Sequence, residues 1–213
     1  MSSVWDERAA AYGESEAHRQ GPDLDLLVAW ADGAGTSLDV GSGGGHVARR
    51  LREAGLQVVS VDPAPGMQAD VQAGAEDLPF ADGSFDVVAC RVAAHHFADV
   101  AAAVSEMARI AADRVLVVDN LFMGETVEDA ERLRDPSHVR NYDEAEWRGF
   151  FADAGLEVED VRTFDKPIRV EPWLERAGCA GADADRVREL LADRIDGATV
   201  TLDRIALLGR KPR

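Results

Sequence analysis

The sequence has little cysteine and no long apolar run, and each shortage excludes a class of protein. Its two cysteines, Cys90 and Cys179, stand far apart and without metal-ligand or redox spacing, so we expect reduced packing residues rather than a disulfide. No apolar stretch approaches the roughly 20 residues that a membrane-spanning helix needs. The first residues lack the basic and apolar regions of a secretion signal. These absences predict a cytoplasmic protein that does not insert into a membrane.

Positive charge is also scarce. The 213 residues include 23 lysines and arginines against 40 aspartates and glutamates, which gives a net charge of −17. Lys166 and Lys211 are the two lysines, and most arginines alternate with acids. Because nucleic-acid binding draws most of its affinity from Lys and Arg contacts to phosphates, the composition argues against a nucleic-acid partner. A solvated surface with many ion pairs accounts for the charges.

What the sequence does contain is a regular alternation of strand and helix patterns. Apolar spacing predicts helices at 24–30, 46–55, 97–111, 143–155 and 184–195. Runs rich in β-branched residues predict strands at 37–40, 56–62, 83–92, 113–120, 156–164 and 198–211. Strands that alternate with helices are typical of an α/β fold around a largely parallel sheet, here in one domain with a helical cap.

The most unusual stretch is residues 38–48, LDVGSGGGHVA, which places four glycines in five positions after a short strand. At the carboxyl end of a strand, such a turn lets a ligand lie against the backbone. The dinucleotide pattern G-x-G-x-x-G requires a third glycine where His46 stands. The glycines instead alternate, with Asp39 two residues upstream, at Gly41, Gly43 and Gly45. A carboxylate there suits a cationic ligand better than a phosphate, and a tight structural turn is the alternative.

Four landmarks in order resemble the class I S-adenosylmethionine-dependent methyltransferases, particularly small-molecule enzymes of ubiquinone and menaquinone biosynthesis. They are D-x-G-x-G-x-G, an acid ending the next strand at Asp62, AEDLPFADGSFDVV at 75–88 and RVAAHHFAD at 91–99. The similarity runs from residue 38 to about residue 155. It implies a Rossmann-like, doubly wound, mostly parallel seven-stranded sheet with an antiparallel last strand. It also implies a single domain, 1–213, made of a helical lid (1–36), a cofactor-binding half (37–120) and substrate lid or cap insertions (121–142 and 167–197).

The resemblance implies S-adenosylmethionine as cofactor and S-adenosylhomocysteine as product. Asp39 would serve the α-ammonium group, directly or through water, and Asp62 the ribose hydroxyls, although Asp62 also suits a turn before Pro63. The further cofactor candidates are Gly41, Ser42, Gly43, Gly45, Pro63, Met67, Glu76, Asp77, Leu78, Arg91, Tyr12 and His18. Gly74 stands where many relatives carry an aspartate for the adenine amino group, which leaves Glu76, Asp77 or the backbone for that contact.

Methyl transfer is an in-line displacement that needs no metal and depends mainly on proximity and orientation. Where the acceptor must lose a proton, a histidine suits the role of base, because its pKa lies near neutrality. His95 and His96 are the catalytic candidates, and the alternative is that one of them caps the following helix or packs beneath it. The substrate candidates are His138, Arg134, Arg140 and Trp173. An internally paired surface loop is the alternative for the first three, and a structural role is the alternative for Trp173. Trp147, Phe150 and Phe151 have helical spacing and are predicted to be core.

Two other functions stay open at this point. A nicotinamide-dependent oxidoreductase uses a similar sheet, but His46 and the lack of a Tyr-x-x-x-Lys pair disfavour it. A protein that binds S-adenosylmethionine or S-adenosylhomocysteine without transferring methyl is the other. The sequence predicts a methyltransferase that acts on a small-molecule acceptor, and it carries no prediction of oligomeric state.

Overall fold

The computed structural model describes residues 19–212. Its strands are β1 (Thr36–Val40), β2 (Gln57–Val61), β3 (Phe85–Arg91), β4 (Ala111–Asn120), β5 (Glu157–Arg169), β6 (Ile195–Asp196) and β7 (Thr199–Arg210). Its α-helices are α1 (Pro22–Trp30), α2 (His46–Glu53), α3 (Val100–Ile110), α4 (Glu125–Arg134), α5 (Glu144–Asp153), α6 (Val170–Ala177) and α7 (Gly181–Leu190). Two of the predicted cofactor contacts, Tyr12 and His18, lie outside the described residues.

The seven strands form one sheet in the order β2-β1-β3-β4-β7-β5, and β6 pairs with β7. β1 to β4 pair in parallel, whereas β7 runs antiparallel to both β4 and β5. The predicted fold, a mostly parallel doubly wound sheet with an antiparallel last strand, is therefore confirmed. The strand order changes direction at β1, between β2 and β3, and ligands of such sheets bind at the carboxyl ends next to that point.

The short segment that follows β2, PAPGMQAD at 63–70, is predicted to lead into a third parallel strand that begins at about residue 71. The structure has only an isolated parallel bridge there, between Val71 and Val61. Ala73 and Gly74, which follow, are poor strand formers. The sheet nevertheless has seven strands, because the two-residue β6 is one of them.

The sheet is covered by helices on both faces because alternate side chains of its strands point in opposite directions. On β3, Val88 and Cys90 join α3 and α5 in one apolar cluster, and Val87 and Ala89 join α1 and α2 in another. Cys90 is buried, and it and Cys179 are both free. Within the described chain no helix has the length and apolar character needed to cross a membrane.

The aromatic residues of α5 are core, as their spacing predicts. Trp147 and Phe151 are fully buried, and Phe150 packs partly buried against the same cluster. Gly209 of β7 leaves room for the Phe151 ring, since a Cβ there would come within 2.5 Å of it.

A third apolar cluster, separate from the other two, forms the cap and includes residues from the ends of β5 and β7. It joins α4 of the first predicted insertion to α6 and α7 of the second, with Val127, Trp173 and Leu174 among its buried members. β5 extends to Arg169, so the first residues of the second insertion are strand rather than cap. The two insertions therefore meet in one structure beside the ends of β5 and β7.

Candidate active site

The glycine loop after β1 forms one wall of a cleft. Gly41 and Gly43 have φ of 66° and 47°, in the left-handed region that favours glycine. A Cβ on Gly41 would lie 2.6 Å from the Ala93 Cβ, so the loop approaches the end of β3 too closely for any side chain. A Cβ on Gly43 would meet nothing within 4 Å. One glycine thus allows close packing, and the other leaves open space.

Two carboxylates hold the loop in place. The Oδ2 of Asp39, fully buried at the end of β1, accepts the Ala48 N–H of α2 at 2.9 Å. Asp62 follows β2, where its Oδ2 accepts the Gly43 N–H and its Oδ1 accepts the Ala64 N–H, both at 2.9 Å. Burial raises the pKa of Asp39 to about 7 and also raises the pKa of Asp62. Asp62 therefore does have the turn role that the sequence left as an alternative.

The cleft contains about 850 Å³ of space that no protein atom fills, part of it open to solvent. The predicted cofactor residues that line it are Asp39, Gly41, Ser42, Gly43, Asp62, Pro63, Met67 and Arg91. The lining residues that the sequence did not suggest are Gly44, His46, Val47, Val92, Ala93 and Phe97.

Four predicted cofactor residues lie outside this lining. Gly45 precedes the first turn of α2 as its N-cap. Leu78 is buried in the core, and its N–H donates to Glu106. Glu76 accepts the N–H groups of Ala98 and Asp99 at 3.0 and 3.3 Å, and Asp77 belongs to the same turn. A role for any of them toward adenine stays a prediction.

Arg91, at the end of β3, belongs to a buried ionic trio. Its Nε and Nη2 donate to the Oδ2 of Asp23 at 3.0 and 2.8 Å, and Arg204 Nη1 donates to the same oxygen at 2.7 Å. Burial alone would raise the pKa of Asp23, but the charges of Arg91 and Arg204 bring it below its usual value. The Asp23 carboxylate thus accepts from two guanidinium groups.

His95 is paired with an aspartate that the sequence analysis overlooked. Its Nδ1 lies 2.5 Å from Asp119 Oδ1, and its backbone N–H donates to Asp119 Oδ2 at 2.9 Å. Burial would lower the pKa of His95, but the charge and hydrogen bond of Asp119 raise it overall. Burial would raise the pKa of Asp119, and His95 with the backbone donors lowers it overall. Both pKa shifts favour a protonated His95 beside an ionised Asp119.

His96 is the histidine that lines the cleft. Its Nδ1 lies 3.0 Å from the Ser137 carbonyl oxygen, and since a carbonyl only accepts, this contact assigns the hydrogen to Nδ1 and the lone pair to Nε2. Burial, and then the charge of His95 at a ring distance of 4.1 Å, lower the pKa of His96 to about 3. Helix α3 is capped by Asp99, so neither histidine is its cap, and His95 packs beneath the site.

Val92 follows β3 in a strained conformation. Its φ is 55°, which is rare for a β-branched residue, and its N–H donates to the Val118 carbonyl at 2.7 Å. Such strain costs about 1–3 kcal/mol and is concentrated at functional sites. Val92 lines the cleft and also a second cavity.

The second cavity lies between the sheet and the cap and contains about 380 Å³ of unfilled space, part of it open to solvent. It is lined by Val92, His95, His96, Asn120, Arg134, Ile168, Trp173, Arg176, Leu202 and Arg204. Two of the predicted substrate residues, Arg134 and Trp173, are therefore brought together here, and the Arg134 guanidinium lies 4.4 Å from the centre of the Trp173 ring.

The other two substrate candidates lie outside the lining of the second cavity. His138 is buried, with Nε2 at 3.2 Å from Glu128. Arg140 is exposed and pairs with Glu146 at 2.9 Å. The alternative of an internally paired surface loop is wrong about the surface position of Arg134 and His138, which are only 6% exposed each, but both do pair internally, Arg134 with Asp135 and His138 with Glu128. In residues 19–212 no three His, Cys, Asp or Glu side chains are arranged to hold a metal ion.

The cleft fits the cofactor that the sequence implies. S-adenosylmethionine has positive charges, ribose hydroxyls and an aromatic base. The carboxylates of Asp39 and Asp62 suit the first two, the open space at Gly43 leaves room beside the loop, and Met67 and Phe97 add apolar surface.

Comparison with known proteins gives the same assignment. Residues 38–118 match the family of the methyltransferase domain. Over 207 residues, the chain is 33% identical to the uncharacterized methyltransferase YcgJ of Bacillus subtilis, a match that covers 86% of this chain and 81% of YcgJ.

Solved structures extend the comparison. The crystal structure of YcgJ has a TM-score of 0.79 at 30% identity and covers 90% of this chain and 98% of its own. A protein of Bacillus halodurans C-125 has a TM-score of 0.76 at 29% identity, covering 91% of this chain and 100% of its own. A more distant likeness, in fold alone, is to the 1,6-didemethyltoxoflavin-N1-methyltransferase of Burkholderia thailandensis, which was crystallised with S-adenosylhomocysteine. Its TM-score is 0.61 at 16% identity, and it covers 94% of this chain and 80% of its own. The names of these proteins do not point to the ubiquinone and menaquinone branch, which stays a prediction.

Proposed function

This chain belongs to the S-adenosylmethionine-dependent methyltransferases, and we propose that it methylates a small-molecule acceptor held between the sheet and the cap. The observation that carries the proposal is the wall between the two cavities. Val92 and His96 line both the cleft and the second cavity, so ligands in the two would be neighbours. Holding donor and acceptor in near-attack geometry is the main task of such an enzyme, and adjoining cavities suit it.

The cofactor would lie in the cleft against the glycine loop. When bound, it supplies a methyl group on a positively charged sulfur. We assign Asp39 to its ammonium group and Asp62 to its ribose hydroxyls, because these two carboxylates line the cleft at the ends of adjacent strands. The hydrogen bonds that the Asp62 carboxylate accepts from the Gly43 and Ala64 N–H groups fix its position before any ligand arrives.

His96 is our candidate for the proton acceptor. Transfer to an O–H or N–H acceptor ends with the loss of one proton, and His96 is the titratable side chain that lines both cavities. Its low pKa keeps the imidazole neutral, but it also makes His96 a weak base. We therefore expect His96→Gln to lower kcat by about 10–100-fold, at or below the lower limit of typical general-base effects. His95 acts through His96 as a positioning residue.

Calorimetry with S-adenosylhomocysteine tests the cofactor assignment. We expect micromolar binding by the wild type, no comparable binding of NAD(H) or NADP(H), and at least tenfold weaker binding by Asp62→Ala. Asp86→Ala is the matched control. Asp86 also holds two backbone N–H groups, of Gly35 and Thr36 at 2.8 and 2.9 Å, but at the opposite end of β1. Its variant should lose stability and keep its affinity.

The outcomes separate the alternatives. A preference for a nicotinamide, or no binding of S-adenosylhomocysteine, would overturn the proposed function. Equal losses of affinity in Asp62→Ala and Asp86→Ala would remove Asp62 from the site. Binding without turnover, across a panel of hydroxyl, amine and carbon acceptors, would indicate a cofactor-binding protein instead of an enzyme.

A further inference from the structure

A short turn that follows the cap helix α4 contacts both histidines of the candidate site. It consists of residues 135–138, Asp-Pro-Ser-His, and is called the DPSH turn below. The Ser137 carbonyl oxygen lies 3.0 Å from His96 Nδ1. The N–H of Val139, the residue after the turn, donates to the His95 carbonyl at 2.9 Å. The candidate proton acceptor, His96, is therefore held by the cap as well as by the sheet.

The sequence explains why this turn forms. Asp135 and Pro136 occupy the first two positions of a β-turn, where both residue types are favoured, and the Asp135 carbonyl accepts the His138 N–H at 2.9 Å. The Asp135 Oδ1 also accepts the Ser137 N–H at 3.1 Å, a hydrogen bond that aspartate commonly makes to the backbone two residues on. Asp135 is fully buried, and its Oδ2 lies 3.8 Å from Arg134. Asp135 thus sets the position of the Ser137 backbone.

The Ser137 hydroxyl provides a second connection between Asp135 and His96. Its Oγ donates to Asp135 Oδ1 at 2.5 Å and lies 3.3 Å from His96 Nδ1. Because a hydroxyl has one hydrogen, and Asp135 accepts it, the Oγ can only accept from His96. The Ser137 carbonyl oxygen is also an acceptor. Two acceptors of one residue therefore meet Nδ1, and both require Nδ1 to carry the hydrogen.

The position of that hydrogen determines what His96 can do. Burial and the charge of His95 lower the pKa of His96 to about 3, so near neutral pH the ring is neutral and has one N–H. The hydrogen bond made by one ring nitrogen sets the role of the other. With the hydrogen on Nδ1, Nε2 has a lone pair and can accept a proton. With the hydrogen on Nε2, that atom could accept none, and Nδ1 would face two acceptor oxygens with no hydrogen between them.

We propose that Asp135 and Ser137 are positioning residues that fix the Nδ1–H tautomer of His96, so that its Nε2 can take the proton that the methyl acceptor loses. This inference rests on the proposed function, in which His96 is the proton acceptor. Neither residue lines the cofactor cleft or the second cavity, so both act through His96. The proton moves from the acceptor to Nε2 as the new bond to the methyl group forms. The hydrogen on Nδ1 stays in place and continues to be donated to Ser137.

Nitrogen-15 NMR of the imidazole rings tests the inference without an acceptor. The sample is protein with 15N-labelled histidine, saturated with S-adenosylhomocysteine, near neutral pH. The chain has five histidines, and the ring signals that disappear in His96→Gln identify His96. We expect the Nδ1 and Nε2 chemical shifts of His96 in the wild type to show the Nδ1–H form.

Two variants in the DPSH turn should change the tautomer. Ser137→Ala removes one acceptor, so the ratio of the Nδ1–H form to the Nε2–H form should fall about threefold to tenfold, the equivalent of one neutral hydrogen bond. Asp135→Ala removes the support of both Ser137 acceptors, and its ratio should fall at least as far. Asp135→Asn should retain the Nδ1–H form, because the amide oxygen can accept the same two hydrogens.

Ser105→Ala is the matched control. The Ser105 hydroxyl, on the exposed side of α3, donates to the Ala101 carbonyl at 2.9 Å, so this variant also loses one serine hydrogen bond. Its His96 ratio should equal that of the wild type. A fall as large as that in Ser137→Ala would show that the tautomer responds to general loss of stability, and the inference would be wrong.

The remaining outcomes are equally decisive. Hydrogen on Nε2 in the wild type, or an unchanged ratio in both Ser137→Ala and Asp135→Ala, overturns the inference. Should Asp135→Ala fail to fold, Ser137→Ala decides alone, since its side chain is only partly buried. Normal S-adenosylhomocysteine affinity in a sample with the wrong tautomer would leave the proposed function standing. No S-adenosylhomocysteine binding by the wild type would overturn the proposed function, and this inference with it.

Discussion

Alanine at two glycines of the same loop should affect different properties: stability most at Gly41, and ligand affinity most at Gly43. Gly41 and Gly43 both have left-handed φ, so Gly→Ala at either costs about 1–2 kcal/mol of backbone strain. At Gly41 the new Cβ would also lie 2.6 Å from the Ala93 Cβ and 3.5 Å from Phe97. Favourable carbon contacts are about 3.5–4.0 Å, and overpacking of this kind costs about 1–3 kcal/mol more.

We therefore expect Gly41→Ala to lower the free energy of unfolding by about 2–5 kcal/mol and Gly43→Ala by about 1–2 kcal/mol. Ligand affinity should instead decrease more in Gly43→Ala than in Gly41→Ala. The Cβ at Gly43 would enter open space on a wall of the cleft. Gly43→Ala should consequently bind S-adenosylhomocysteine at least tenfold more weakly while remaining folded.

Urea unfolding of the ligand-free variants, followed by calorimetry on those that are folded, measures both effects. Ala93→Gly supplies an internal control, because it removes the opposing Cβ and should restore about 1–3 kcal/mol to Gly41→Ala. Equal stability losses at the two glycines, or no recovery with Ala93→Gly, would refute the packing argument.

Three further predictions concern titratable groups. With a pKa of about 7, Asp39 is about half protonated at pH 7, so binding a cationic group beside it should release up to about half a proton. Calorimetry in two buffers of different ionisation enthalpy measures this release, and Asp39→Asn should abolish it. The low pKa of His96 should leave kcat/KM without an acidic limb from this group between pH 5 and 8, so an inflection near pH 6.5 that His96→Gln removes would contradict the assignment. Asp119→Asn should cost about 3–5 kcal/mol at pH 6, because it leaves His95 without its buried partner. Because the pKa of His95 is raised, the stabilisation by this pair is complete below pH 6.5 and decreases as the pH rises through the folded-state pKa of His95. If urea unfolding at alkaline pH shows an equally large loss of stability in Asp119→Asn, the charged pair is wrong.

Local patterns were sufficient for much of the fold. Strand and helix periods, the glycine loop and the acid after β2 are short-range features, and the structure contains each of them. The strand expected after residue 70 is only an isolated bridge at Val71, because Ala73 and Gly74 are poor strand formers.

The candidate site also contains both contacts that the sequence could predict and contacts that it could not. Asp119 ends β4 beside β3, so the rule that neighbouring parallel strands bring their carboxyl ends together could have paired it with His95. Asp23 lies 68 residues from Arg91 and 181 from Arg204, and no local pattern connects positions so distant. The left-handed Val92 has no sequence signal either, because a β-branched residue is among the least expected in that conformation.

The separate apolar cluster of the cap has a consequence for how a ligand would reach the site. The cap has its own core, which it shares with the ends of β5 and β7, so we expect it to open at a lower free-energy cost than the whole domain. In the proposed function, it would loosen to admit an acceptor while the sheet stays folded around the glycine loop. Substitutions inside that cluster would then change which acceptor binds and leave the binding of the methyl donor unchanged.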